Sequence, residues 1–160
     1  MQAKEYRTVD KSEWNRGEWD NEPDKMQWPD PATGLPCLIV RGPWGALCGY
    51  VGVPASHSWH GKDYGAPVGD CNSNCDQENG WHCGHRIDSL IDVHGGLTFA
   101  DACAHADDES RHICHLPDPG EPDNVWWFGF DCAHSGDIAP AHMRPYGGPF
   151  GTGYDTYKNV

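Results

Sequence analysis

The clearest pattern of apolar and turn-forming positions in the chain is GLPCLIVRGPWGALCGYVGVP at residues 34–54. Two apolar, β-prone runs at 37–40 and 46–53 flank the turn-forming residues RGPWG. Turn residues between two such runs predict a β-hairpin. Counting outward from the turn places Cys37 and Cys48 near one another across the strands. They are either a redox-sensitive pair or two small buried hydrophobic side chains.

A second run, VWWFGF at 125–130, is the most apolar stretch of the chain. It is short, aromatic and bounded by turn residues, which predicts a buried central strand. This strand leads directly into the loop DCAHSGD at 131–137. A shorter apolar run inside SLIDVHGGLTFA (89–100) ends at a His-Gly-Gly turn, so the loop DVHGG (92–96) is also predicted to follow a buried strand.

The remaining sequence is polar and is interrupted often by glycine and proline, which number 20 and 13. With 38% hydrophobic residues in 160 positions, the chain is long enough for one domain with a modest core. We therefore expect a small, strand- and loop-rich α+β domain with a mainly antiparallel sheet and few short helices. The predicted organisation is an acidic, tryptophan-containing N-terminal arm (1–33), a single globular domain (34–150) and a C-terminal tail (151–160).

The formal net charge of −13 argues against nonspecific binding to nucleic acid or to an anionic membrane, because these polyanions attract clusters of lysine and arginine. The first residues, MQAKEYRTVDKSEW, lack the apolar core of a secretory signal. No apolar run approaches the ~20 residues needed to span a bilayer. These features predict a cytoplasmic protein, in which cysteines are expected to be thiols or metal ligands rather than disulfides.

The candidate catalytic residues lie in the two Asp/His loops. Each loop combines carboxylates, imidazoles and glycines at the end of a predicted strand, where a rigid element presents functional groups to an open loop. Such groups can bind a divalent metal ion or act as general acid and base, and the candidates are Asp131, His134, Asp137 and His94. The competing interpretation is that these side chains only satisfy the hydrogen bonds of turns.

A second set of residues is predicted to contact the ligand. The loop SHSWHGKDY (56–64) follows a predicted strand and carries groups that suit a phosphate or a carboxylate, while glycines near His94 allow the backbone to approach a ligand closely. The predicted ligand-binding residues are His57, Lys62, Tyr64, Gly95, Gly96 and Thr98. Exposed loops also collect such residues without any binding role.

Cysteine and histidine are enriched in two further connections. The first, at 69–86, is compatible with a small structural zinc site whose ligands would be Cys71, Cys75, His82, Cys83 and His85. Structural zinc contributes folding energy where apolar area is scarce. In the second connection the residues are Cys103, His105, His112, Cys114 and His115, which either form another site or place Cys103 and Cys114 face to face.

Four strings carry a resemblance, and they are GLPCLIVRGPWGALCGYVGVP, IDVHGGLTF, HICHLPDPGEPD and VWWFGFDCAHSGD. Together they resemble a family of short uncharacterised proteins encoded by tailed bacteriophages and prophages. The resemblance covers roughly residues 26–137. It implies a protein of phage origin that acts in the host cytoplasm, and it implies no particular activity or fold. Relatives continue into a helical C-terminal segment, whereas this chain stops at Tyr157-Lys158-Asn159-Val160.

Three functions are consistent with these features. The first is a metal-dependent hydrolase of a small phosphorylated or nucleotide-like substrate, using zinc or another divalent metal. The second is a non-catalytic phage counter-defence protein that sequesters a nucleotide signal or blocks a host protein. The third is a zinc-stabilised structural or interaction module. The expected partners are a small anionic molecule or a host protein, and a homo-oligomer is compatible with the sequence.

Overall fold

The computed structural model describes residues 1–69, 86–104, 112–121 and 123–142. Within these ranges the strands are β1 (Lys4–Tyr6), β2 (Lys25–Pro29), β3 (Pro36–Arg41), β4 (Leu47–Val53), β5 (Phe99–Ala102) and β6 (Trp126–Asp131). The helices are α1 (Ile87–Leu90), which is a single turn, and two short 3-10 helices, Glu18–Asn21 and Pro140–His142. None of these helices has the length and apolar character needed to cross a membrane.

The six strands form one sheet in the order β1-β2-β3-β4-β6-β5, and all neighbouring strands are antiparallel. The described chain is therefore a small single domain of strands and loops with few helices, as the sequence predicts. The acidic segment 1–33 contributes β1 and β2 to this same sheet.

The predicted hairpin is confirmed as β3 and β4, but its register differs from the one counted from the sequence. Arg41 pairs with Leu47 at the turn. Ala46 was counted as the start of a strand, whereas it belongs to the turn. As a result Cys37 lies opposite Val51, while Cys48 lies beside the turn. The prediction that Cys37 and Cys48 lie near one another across the strands was wrong.

The predicted buried apolar strand is confirmed as β6, which lies inside the sheet between β4 and the outer strand β5 rather than at its centre. Successive residues of a strand point to opposite faces of a sheet. Trp127 is completely buried on one face, where it clusters with Leu38 and Val40. Phe128 is buried on the other face in a cluster with Val53. We call these two surfaces the Trp127 face and the Phe128 face.

The segment before the DVHGG loop is not a strand, which corrects the prediction. It forms α1 and then an extended connection, and β5 begins only after the loop. The backbone N–H groups of Ile87 and Asp88 donate to the carbonyls of Ala66 and Tyr64, so this segment pairs with a loop rather than with a strand. Its apolar side chains, led by the fully buried Ile87, cover the Phe128 face.

A buried ion pair attaches the N-terminal segment to the sheet. Asp24, with a side chain only 2% exposed, accepts a hydrogen bond of 2.9 Å from Nε of Arg41 at the end of β3. Lys11 Nζ lies 2.8 Å from the same carboxylate. The other oxygen of Asp24 accepts hydrogen bonds from the backbone N–H groups of Thr8 and Val9. One carboxylate thus joins three separate parts of the chain.

Candidate functional site

The loop that follows β6 folds around a buried carboxylate. The side chain of Asp137 is only 4% exposed, and its Oδ2 atom accepts a hydrogen bond of 2.9 Å from the backbone N–H of His134. The N–H of Asp137 donates in return to the carbonyl of His134. Aspartate side chains commonly close turns through such local bonds. The carboxylate is therefore held in place by its own loop.

The DVHGG loop brings a second histidine to this carboxylate. Nε2 of His94 lies 2.7 Å from Oδ2 of Asp137. The rings of His94 and His134 meet edge to face with their centroids 5.3 Å apart. The potential ligand atoms of His94, His134 and Asp137 all lie within 4.8 Å of one another, so these side chains are positioned to hold a metal ion. We call the three residues the His–Asp cluster.

One ring nitrogen of the His–Asp cluster is buried without a hydrogen bond. Nδ1 of His134 has no hydrogen-bond partner among the described residues. It lies 3.5 Å from Oδ2 of Asp137 and 3.7 Å from Oδ1 of Asp131. Buried polar atoms without a partner are uncommon in folded proteins. A nitrogen in this position, next to two carboxylates, is suited to coordinate a cation.

The carboxyl group of Asp137 is held in its ionised form. Burial opposes ionisation, but the hydrogen bonds from His94 and from the backbone of His134 outweigh it and lower the pKa of Asp137 below its usual value. The cluster therefore offers a carboxylate anion at neutral pH. Chemically, this arrangement can bind a divalent cation, or it can orient a histidine as a general base.

Close packing of the two loops depends on Gly95. Its φ is +69°, and a Cβ atom at this position would overlap the imidazole ring of His134. We expect Gly95→Ala to lower the free energy of unfolding by about 1–3 kcal/mol, because it adds backbone strain and a steric overlap. It should also displace His134 and so lower the Mn²⁺ affinity that we expect of a metal site at the cluster. Urea denaturation and calorimetric titration with Mn²⁺ measure the two effects.

The adjacent glycine provides a matched control. Gly96 also has a positive φ, +81°, but a Cβ there would meet no atom within 4 Å. Gly96→Ala therefore adds the backbone strain without the overlap, and Mn²⁺ affinity should be retained. If both variants lost the same metal affinity, the packing of Gly95 against His134 would not be the cause.

The predicted residue Thr98 lies at the border of the cluster. Its hydroxyl donates to Oδ2 of Asp131 over 3.2 Å, and its backbone N–H donates to the carbonyl of Gly129 in β6. Gly96 closes the loop through a hydrogen bond from its N–H to the carbonyl of Val93. The two hydrogen bonds of Thr98 attach the end of the DVHGG loop to β6.

Two predicted ligand-binding residues of the loop after β4, Lys62 and Tyr64, lie away from the His–Asp cluster. The carbonyl of Lys62 accepts a hydrogen bond of 2.9 Å from Nε1 of Trp126. Trp126 begins β6 whereas Asp131 ends it, and a six-residue strand spans roughly 17 Å. Tyr64 packs against the cluster of apolar residues on the Phe128 face. The part of the loop around Lys62 therefore covers the opposite end of β6 from the His–Asp cluster.

An apolar pocket of about 230 Å³ lies on the Phe128 face of the sheet. Val93 and Phe130, the residues immediately before His94 and Asp131, both line it. The remaining wall is mostly aliphatic and also includes Trp59, Phe128 and the ring of His57. Sequence reasoning did not predict this pocket, because it depends on how the segment around α1 covers the sheet.

A second group of potential metal ligands lies between β5 and β6. It consists of Cys103, Cys114, His115 and Asp123, whose potential ligand atoms lie within 4.8 Å of one another. Cys103 and Cys114 face each other, which was one of the two sequence interpretations, and their sulfurs form a disulfide. This departs from the expectation of reduced thiols. Burial lowers the pKa of His115, which leaves its imidazole neutral at neutral pH.

Asp123 is the member of this group that sequence reasoning missed. It lies in the proline-rich segment before β6, far along the chain from Cys103. The end of β5 pairs with the start of β6, Ala102 with Trp126, and this pairing brings the two flanking segments together. A correct prediction of that antiparallel pair would have identified Asp123.

The predicted zinc ligands in the connection at 69–86 lie outside the described residues; they are Cys71, Cys75, His82, Cys83 and His85.

No family model, no curated protein and no solved structure matches this chain. Within the described residues, cysteine, histidine and aspartate side chains are positioned to hold a metal ion at two places.

Proposed function

We propose that the protein is a metal-dependent hydrolase of a small phosphorylated or nucleotide-like substrate, and that the His–Asp cluster holds its metal ion. The observation that carries this proposal is the convergence of His94 and His134 on the ionised carboxylate of Asp137. Two imidazoles and one carboxylate are a frequent ligand set for divalent metals at catalytic sites. A divalent ion there would lower the pKa of a bound water and polarise the substrate.

Asp131 is suited to accept a proton from the attacking water. Its side chain is 35% exposed, and its Oδ1 atom lies 3.7 Å from Nδ1 of His134. Hydrogen bonds from the hydroxyl of Thr98 and from the backbone N–H of Ala133 orient the carboxylate. A general base must be held within reach of the proton that it removes, and these bonds provide that positioning.

We propose a substrate with an anionic part, which the cluster would bind through a cation, and an apolar part. Without a cation, the carboxylates of Asp131 and Asp137 would repel an anion, whereas a bound divalent ion reverses the local charge. The apolar pocket on the Phe128 face, with Trp59 and Phe128 in edge-to-face contact, would accept an apolar or aromatic group such as a nucleobase. The phage origin and host-cytoplasmic setting implied by the sequence resemblance stay predictions.

We expect Asp137→Asn to lower the affinity for Mn²⁺ by at least about 100-fold, because the neutral amide replaces an anionic ligand of the same shape. Manganese is the chosen probe because it prefers nitrogen and oxygen ligands to thiolates. Calorimetric titration of chelator-treated protein measures the affinity, and circular dichroism checks that the fold is retained. The matched control is His60→Ala, since the ring of His60 lies by the carbonyl of Asn124 at the far end of β6.

Hydrolysis is tested with nitrophenyl phosphate mono- and diesters and with a panel of linear and cyclic nucleotides. Turnover should require Mn²⁺ or Zn²⁺, should be lost in Asp137→Asn, and should remain in His60→Ala. Metal binding without turnover of any of these compounds would contradict the proposed hydrolase activity. A large increase in melting temperature with one nucleotide, again without turnover, would instead identify a binding protein that sequesters it.

A further inference from the structure

We infer that Cys103, Cys114, His115 and Asp123 form a second metal site, which binds a zinc-like divalent cation when the two cysteines are reduced. This site is separate from the His–Asp cluster in its residues and in its ligand chemistry. Two sulfurs, one imidazole and one carboxylate are a ligand set that favours zinc and related soft divalent metals.

The strands on either side bring these four residues together. Cys103 directly follows β5, and Asp123 lies just before β6. Ala102 at the end of β5 pairs with Trp126 at the start of β6. The two flanking residues, Cys103 and Asp123, therefore lie at the same end of this strand pair. A backbone bridge between Ala104 and Ile113 then delivers Cys114 and His115 to that position.

The carboxylate of Asp123 is the first observation that indicates a cation. Its Oδ1 atom lies 3.0 Å from Sγ of Cys103 and 3.1 Å from Sγ of Cys114. A disulfide has no hydrogen to donate, so a carboxylate beside it faces only sulfur lone pairs. A cation between these atoms would attract all of them. Neighbouring ligand atoms around a tetrahedral zinc ion are separated by roughly 3–4 Å, which is the range of these contacts.

His115 is the second and independent observation. Its side chain is only 7% exposed, and its Nδ1 atom has no hydrogen-bond partner among the described residues. The same atom lies 3.9 Å from Oδ1 of Asp123. A buried imidazole nitrogen without a partner costs free energy unless some other group binds it. A metal ion shared with Asp123 and the two sulfurs would satisfy this nitrogen.

Two further contacts hold the group in position. The indole N–H of the buried Trp127 lies 3.4 Å from Sγ of Cys103, and N–H donors of this kind stabilise metal-bound thiolates. The side-chain amide of Gln27 in β2 accepts from the N–H of Leu116 and donates to its carbonyl, which fixes the segment after His115. Outer contacts of this kind are typical of ordered metal sites.

The disulfide and the metal-bound form are alternative states of the same two cysteines. A dithiol reductant transfers two electrons and two protons to the Cys103–Cys114 bond, which breaks into two thiols while the dithiol becomes a disulfide. Binding of the divalent cation then releases the two thiol protons and leaves two metal-bound thiolates. The reduced protein is therefore the form in which the site can be tested.

Cobalt(II) is a suitable probe, because thiolate ligation gives it a charge-transfer absorption that imidazole and carboxylate ligands alone do not produce. We expect the full-length protein, reduced with a phosphine, to show this absorption on addition of Co²⁺. The absorption should be lost in Cys103→Ser and Cys114→Ser, and it should remain in Cys37→Ser, which removes a thiol outside the group. His94→Ala should also keep it, which separates this site from the His–Asp cluster.

A second measurement on unmodified protein applies even if a cysteine variant does not fold. Zinc added to the reduced wild-type protein should abolish alkylation of Cys103 and Cys114 by iodoacetamide, as mapped by mass spectrometry. The inference would be overturned if no cobalt–thiolate absorption formed in the wild type. It would equally be overturned if zinc left the alkylation of these two cysteines unchanged, since the thiolate ligands would then lie elsewhere.

Discussion

Replacement of Asp24 by alanine is expected to lower the free energy of unfolding by about 3–5 kcal/mol, the typical cost of removing one member of a buried ion pair. The substitution leaves the guanidinium of Arg41 and the ammonium of Lys11 without their shared carboxylate. It also leaves the backbone N–H groups of Thr8 and Val9 without an acceptor. Urea denaturation followed by tryptophan fluorescence measures the loss.

An exposed ion pair in β1 supplies the control for this prediction. Glu5 and Arg7 are each 52% exposed and 3.3 Å apart, so Glu5→Gln should change stability by no more than about 0.5 kcal/mol. A similar small change in Asp24→Ala would show that the N-terminal segment is not held by this carboxylate.

The ion pair also predicts a pH dependence. Burial raises the pKa of Asp24, but hydrogen bonds from Lys11 and from the backbone of Val9 outweigh it and lower the pKa below the ordinary value of 3.8. The stability that Asp24 contributes is therefore fully present above about pH 4 and is lost as the pH falls through the lowered pKa of the folded state. In Asp24→Ala this part of the acid sensitivity should disappear.

The second large effect is expected from Trp127→Ala, which should lower the free energy of unfolding by about 3–5 kcal/mol. Trp127 is fully buried, and it packs with Leu38 and Val40 at the centre of its face of the sheet. Its removal leaves a cavity that the flanking strands cannot close without losing their pairing, and it takes the indole N–H away from Cys103. Thermal and urea unfolding both report the change.

The same substitution at an exposed tryptophan tests whether burial is the cause. Trp44 in the turn between β3 and β4 is 54% exposed, so Trp44→Ala should cost much less than Trp127→Ala. Equal losses in the two variants would contradict the assignment of Trp127 as the centre of the core.

The sequence predicted those elements that are specified by short, continuous runs of apolar and turn-forming residues. The hairpin of β3 and β4 follows from two apolar runs around a turn, and the interior position of β6 follows from its aromatic, continuous apolar run. The register of the hairpin was wrong, because the pattern does not show whether Ala46 belongs to the strand or to the turn. The resulting shift in register between β3 and β4 is enough to separate Cys37 from Cys48.

The candidate site depended on contacts that span many residues. The aspartates, histidines and glycines of the two loops indicated a candidate site in the sequence. Only the tertiary structure places His94 beside Asp137, 43 residues further along the chain. The loop was predicted to follow a strand, whereas it precedes β5. Its predicted neighbour Lys62 lies at the opposite end of β6, because loop composition does not reveal which end of a strand a loop covers.

The order of the strands also limits how this protein meets another molecule. In the described chain the outer strands are β1, with three residues and an exposed Lys4 and Glu5, and β5, with four residues and an exposed Asp101. Short, charged outer strands resist backbone pairing with a foreign strand, which is the usual route to edge-to-edge aggregation. Strand β6, which contains the most apolar and aromatic run of the sequence, lies inside the sheet between β4 and β5. For the part of the chain that the structure describes, we therefore expect a partner or a second copy to recognise side chains and loops rather than to extend the sheet.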